Sequence, residues 1–257
     1  MNPLLNLTRK LEKSLTTRGG FGTLVHLIRS APYHLKNTLS LQALQRRHTP
    51  ADGFDSAHNG IDTAGIVELS NLKIVDTDWK FGHGYQAIRP QDFSLLFKAL
   101  PLDYGRFVFL DIGSGKGRAL LLASANPYEA IIGVELAQAL HAIAQSNIQT
   151  FPASKKICKN IKSVCINVLN FSLPPKHLVV FMYNPFTERV LGKFVQQLVS
   201  SVAAHPREVY LYYWNDLYAD VLASAGLKAI LGGQSAAGDE SWSIYKIPSA
   251  SESQGKN

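Results

Sequence analysis

Seven residues, Asp111-Ile112-Gly113-Ser114-Gly115-Lys116-Gly117, combine one acid with three glycines at alternate positions. Glycines let a backbone turn sharply and approach a ligand closely, where a Cβ would collide. The spacing is not the dinucleotide fingerprint GxGxxG, because Arg118 stands three residues after Gly115. It is not a phosphate-binding P-loop either, since Lys116 is followed by Gly117 rather than by Ser or Thr. An acid two residues before the first glycine would repel a pyrophosphate. It suits a cationic ligand that carries amino and hydroxyl donors. Glu135 lies 24 residues beyond Asp111, where a nucleotide-binding fold keeps the acid that accepts from both ribose hydroxyls.

Both acids sit at the ends of elements that the hydropathy pattern marks. Arg106–Asp111 is a short, dense apolar run, as in a strand buried on both faces, and Arg118–Ser124 follows as a helix. Ala130–Glu135 is a second strand, with Leu136, Leu140, Ile143 and Ile148 marking the helix after it. Three further strands are predicted over Ser163–Asn167, His177–Tyr183 and Glu208–Trp214, with a long helix from Val190 to Val202 between the last two. A helix near Leu217–Ala225 and a strand pair, Lys228–Leu231 and Ser241–Ile247, complete the series, and Phe93, Leu96, Phe97 and Leu100 form a helical face upstream. Strands alternating with helices predict an α/β fold with a mostly parallel sheet covered on both faces, here over residues 91–248. Residues 51–90, polar and punctuated by glycine, are expected as a loop-rich approach. Within it Gly82-His83-Gly84-Tyr85-Gln86 is placed to fold over the ligand as a lid, with Tyr85 either touching the cofactor or the acceptor or, the simpler reading, packed as a loop aromatic.

The acid-led glycine loop and the acid closing the next strand resemble those of the class I methyltransferases that use S-adenosylmethionine (SAM). The resemblance implies a seven-stranded Rossmann-like sheet whose last strand is antiparallel. It also implies that the loop of Asp111, Gly113, Gly115 and Gly117 packs against the methionine part of SAM while Glu135 binds the ribose. SAM has the matching chemistry: a sulfonium charge, an α-ammonium group and ribose hydroxyls. The third-strand acid that usually meets the adenine amine falls here on Asn167, which offers a carbonyl acceptor instead. Tyr183-Asn184-Pro185-Phe186 is similar to the Asn-Pro-Pro-aromatic motif of methyltransferases acting on amine nitrogens, with one proline in place of two. There the Asn carbonyl and a backbone carbonyl accept the amine hydrogens, so that the lone pair faces the sulfonium methyl. A helix cap at Asn184 is an equally simple reading of that residue. Segments between residues 54 and 186, among them FDSAHNGIDT and GYQAIRP, are similar to a group of uncharacterised bacterial methyltransferases.

Composition bounds these readings. The chain has 257 residues, of which 46% are hydrophobic, enough for a real core. Its two cysteines, Cys158 and Cys165, exclude a disulfide scaffold and are expected as buried or inert thiols of a cytoplasmic protein. No apolar run is long enough for a membrane span. The histidines show no metal-ligand spacing, so no metal is expected. Residues 1–50 hold eight basic residues and one acid, which accounts for the whole net charge of +7. This stretch is expected to be a helical extension that either presents a solvated face or meets an anionic partner. Its Arg-rich start also mimics a mitochondrial transit peptide, although Glu12 intrudes. Residues 249–257 are expected as a disordered tail. Two function classes follow: a SAM-dependent methyltransferase with an unidentified acceptor, an amine nitrogen foremost, or a catalytically inert SAM-fold module whose basic arm binds nucleic acid or an anionic surface. A nicotinamide dehydrogenase fails on glycine spacing.

Overall fold

The computed structural model describes residues 52–248. The basic extension expected over 1–50 and the tail expected over 249–257 lie outside the described residues. A two-residue antiparallel pair, β1 (Ile66–Val67) and β2 (Tyr85–Gln86), precedes helix α1 (Pro90–Ala99), which opens on a proline at its first turn. Strand and helix then alternate: β3 (Val108–Ile112), α2 (Arg118–Ala123), β4 (Ala130–Glu135), α3 (Gln138–Thr150), β5 (Ile161–Cys165), β6 (Leu178–Tyr183), α4 (Glu188–Ala204), β7 (Val209–Trp214) and α5 (Ala219–Ser224). A hairpin of β8 (Ala229–Gln234) and β9 (Ser241–Lys246) closes the series.

The seven strands β3–β9 form one sheet in the order β5-β4-β3-β6-β7-β9-β8. All pairings are parallel except those of β9, which is antiparallel to both neighbours. The expected α/β architecture is therefore present, antiparallel last strand included. From β3 the chain winds outward through β4 and β5, then returns to place β6 on the other side of β3, with Ile112 beside Met182. The ends of β3 and β6 thus diverge into loops above opposite faces, and ligands of open α/β sheets bind in the crevice at such a reversal.

β3 is buried along its whole length. Val108, Leu110 and Ile112 pack with Leu191, Phe194 and Val195 of α4 on one face, while Phe109 packs with Phe93 and Phe97 of α1 and Leu120 of α2 on the other. Continuous apolar runs rather than alternation are what such two-sided burial demands, which is why these strands were readable. β5 ends at Cys165, two residues earlier than the hydropathy suggests. Asn167 stands beyond it as the cap of a short 3-10 turn, its side chain accepting from the Leu169 amide. Cys158 is buried, whereas Cys165 is exposed, and burial raises both thiol pKa values.

The segment before α1 has little regular structure, yet charge binds it to the glycine loop and α2. Asp55 accepts from the Arg118 guanidinium (3.1 Å), from the Thr63 hydroxyl (2.5 Å) and from the amides of Thr63 and Ala64 (2.7 Å each). Arg118, 2% exposed, also donates through Nε to Thr63 Oγ1 (2.6 Å) and lies over the Phe54 ring. Lys116 Nζ reaches Asp62 (2.7 Å) and the Ala64 carbonyl (3.0 Å).

Candidate functional site

The loop after β3 is shaped by backbone conformations that only glycine adopts easily. Gly113 and Gly115 have φ of +76° and +53°. A Cβ on Gly113 would stand 2.6 Å from Pro185 Cβ, and one on Gly115 would stand 2.0 Å from Tyr85 Cδ2. In this structure the groups that approach the two glycines are the chain's own Pro185 and Tyr85 ring. Gly117, also at positive φ, caps the start of α2.

The glycine loop, the β4 terminus, the end of β6 and residues between 69 and 86 line one cleft. Gly113, Gly115, Glu135, Asn167 and Tyr85 all line it. Asp111 and Asn184 are buried next to lining residues and do not line it themselves.

The two acids differ in how they are held. Glu135 is 6% exposed, and its oxygens accept from the Gly115 and Ala137 amides at 2.8 Å each. It therefore ties the end of β4 to the glycine loop, leaving further lone pairs for a ligand. Burial raises its pKa, against the lowering pull of the Ala137, Gly115 and Leu136 amides. Asp111, 3% exposed, accepts no side-chain hydrogen bond among the described residues. Burial, and then the neighbouring Glu135, hold it well above the usual carboxylate range. A buried carboxylate without a hydrogen-bond donor is costly, and either protonation or a cationic group beside it relieves that cost.

Beyond β6, Asn184 has φ of +38°, a left-handed conformation that Asn tolerates better than most residues. Its Oδ1 accepts from the Tyr213 hydroxyl (3.0 Å), and the Pro185 carbonyl accepts from the His83 amide (2.8 Å). Both oxygens of the proposed amine-holding pair are thus engaged once, and each keeps a second lone pair. The helix cap considered for Asn184 is not formed, because α4 is preceded by Thr187. Thr187 N donates to Phe81 O (2.7 Å), so residues 81–83 run alongside 185–187 and cover the cleft.

The Tyr85 hydroxyl donates to the Thr63 carbonyl (2.6 Å), and burial raises its pKa. It stays protonated, and its ring rather than its oxygen is what the cleft meets. Asn167 is occupied on both sides: Oδ1 by Leu169 N (3.0 Å), and Nδ2 by Asp78 Oδ2 (2.8 Å) and Asp76 Oδ2 (3.1 Å). Asp78 lines the cleft and was not singled out from sequence. It stands in a polar, aperiodic stretch, and only its partner Asn167, 89 positions away, marks it. Among the described residues no group of acids, histidines and cysteines is arranged to hold a metal, and no helix is long and apolar enough to cross a membrane.

In sequence, residues 105–186 match the model of a family described as putative methyltransferase. No curated protein matches the chain. Among solved structures, the fold is similar to that of a SAM-dependent methyltransferase from Aquifex aeolicus, at 16% identity over 61% of this chain and 90% of that one, with a TM-score of 0.48. It is also similar to a predicted N6-adenine-specific DNA methylase from Listeria monocytogenes, at 14% identity and a TM-score of 0.48, over 63% of this chain and about half (51%) of that one.

Proposed function

We propose that the chain, whose residues 105–186 match the putative methyltransferase family, is a SAM-dependent methyltransferase and that methyl transfer goes to an amine nitrogen held at the end of β6. SAM is the cofactor. When bound, it supplies an electrophilic methyl on a sulfonium. The observation that carries the reading is the pair of buried acids, Asp111 without a partner and Glu135 at the cleft wall. Glu135 fits the ribose hydroxyls with the lone pairs its backbone bonds leave, and Asp111, buried behind the lining Gly113, would favour the positively charged methionine end through its charge rather than from the cleft wall.

On the acceptor side, the second lone pairs of Asn184 Oδ1 and Pro185 O suit the hydrogens of an amine. Tyr213 and His83 hold those two oxygens in fixed directions, so orientation of the nitrogen, rather than proton abstraction, is the contribution expected of this loop. Tyr183 and Phe186 also line the cleft and would flank the acceptor. Placement in the cytoplasm accords with two unpaired thiols, one of them exposed.

Calorimetric titration with SAM, S-adenosylhomocysteine, NAD and ATP tests the cofactor assignment: the two adenosyl-sulfur ligands should bind best, and SAM no tighter than ATP would refute it. Labelled-methyl transfer from SAM into cell extract, followed by acid- and base-stability of the product, tests the acceptor. A base-labile ester would exclude the amine reading.

A further inference from the structure

The acid that the resemblance places at the end of the third strand is absent here, since Asn167 occupies that position. The structure supplies a carboxylate there from elsewhere in the chain. Asp78 lies in the 3-10 turn Thr77–Phe81, whose cap Asp76 accepts from the Asp78 amide (2.8 Å). Asn167 Nδ2 donates to Asp78 Oδ2 at 2.8 Å and to Asp76 Oδ2 at 3.1 Å. Asp78 and Asn167 line the cleft together with Leu69, Leu136, Ile166 and Val168, whose apolar side chains suit a flat base.

We infer that Asp78 is the acceptor for the exocyclic amine of the cofactor's adenine and that Asn167 is its positioning residue. This rests on the SAM reading above and adds to it the residue that selects the base. An Asn at position 167 does what an Asp there cannot, because only the amide has a donor with which to hold two carboxylates. With Oδ1 spent on Leu169 N, the amide has its donor side toward the acids. An Asp at 167 would instead set three carboxylates against one another. Restoring the residue that the resemblance expects should therefore weaken binding rather than improve it.

The test uses the full chain and two probes, S-adenosylhomocysteine and S-inosylhomocysteine, in which a carbonyl oxygen replaces the amine. A carboxylate favours the amine and repels the carbonyl. The unaltered protein should prefer the adenosyl probe by about tenfold or more, the size of one lost hydrogen bond to a charged group. Asp78→Asn, whose amide can donate to the carbonyl, should abolish or invert that preference while inosyl binding is kept or improved. Asn167→Asp should weaken the adenosyl probe at least severalfold. If Asp78→Asn lowers both affinities equally, Asp78 is only a structural part of the turn and the inference falls. Unchanged discrimination in Asp78→Asn, or tighter adenosyl binding in Asn167→Asp, would also overturn it. If the unaltered protein binds neither probe, the cofactor reading itself fails, which is a different result from loss of discrimination.

Discussion

At the scale of single residues, Asp111 in its proposed role would tie SAM binding to pH. Its pKa is raised by burial and by Glu135, so the ligand-free fold prefers it protonated. Its contribution to stability is complete below the unfolded carboxylate pKa, about 4, and is lost as pH rises through the raised folded value. A cationic ligand reverses this preference, because it favours the ionised form. SAM affinity should therefore increase as pH rises through that window, and the stabilisation by SAM in thermal melts should grow with it. Asp111→Asn should flatten the profile. Titrations at several pH values that give one dissociation constant would separate Asp111 from the ligand.

At the same scale, Asn184 combines a left-handed backbone with an amide oxygen that accepts from Tyr213. Its positive φ means that Asn184→Ala adds about 1–2 kcal/mol of backbone strain to the loss of the amide, whereas Asn184→Gly removes the amide alone. Both variants should slow methyl transfer with SAM affinity nearly unchanged, and the Ala variant should melt lower than the Gly variant. Equal loss of SAM binding and of turnover in the Gly variant would make the loop a scaffold only.

At the scale of elements, Glu135 is the latch between β4 and the glycine loop, through the Gly115 and Ala137 amides. A hydrogen bond to a charged group is worth about 1.5–3 kcal/mol. Glu135→Ala should therefore lower stability, by less than the two bonds together because burial of the carboxylate offsets part of them, and weaken SAM binding roughly ten- to hundredfold. The two effects arise from one carboxylate, so chemical denaturation and calorimetry on the same variant should both respond. An unchanged melt would mean that the loop holds its shape without the latch.

At the scale of the molecule, the polar segment before α1 is a working part of the domain. Arg118 is buried against Asp55 and Thr63, and a buried ion pair that loses one partner costs about 3–5 kcal/mol. That is a large share of an ordinary domain's stability of about 5–15 kcal/mol. A chain beginning at Ala51 keeps every one of these contacts and should fold and bind SAM. One beginning at Gly65 loses Asp55, Asp62 and Thr63, and should be insoluble or melt far lower. If the shorter chain melts like the longer one, the Asp55–Arg118 pair contributes nothing net. If the chain from Ala51 fails to fold, the basic residues 1–50 are part of the fold rather than a recruiting arm.

The strands, their order of appearance and the two acids at their ends were determined by the sequence itself. Two-sided burial writes continuous apolar runs into strands such as Val108–Ile112 and Leu178–Tyr183, and left-handed turns write glycine into the loop at 113, 115 and 117. Such signals are local, so they can be read without knowing what lies across the fold. Tertiary structure alone decided the rest of the site. Asp78 meets Asn167 across 89 positions, and Asp55 meets Arg118 across 63. Tyr85 covers Gly115, while Tyr213 engages Asn184. Each of these partners sits in a stretch without a period of its own or, like Tyr213, in a strand where its role is masked by burial. A side-chain hydrogen bond between distant segments leaves no repeat in either one, because its geometry exists only once the sheet has brought the two together.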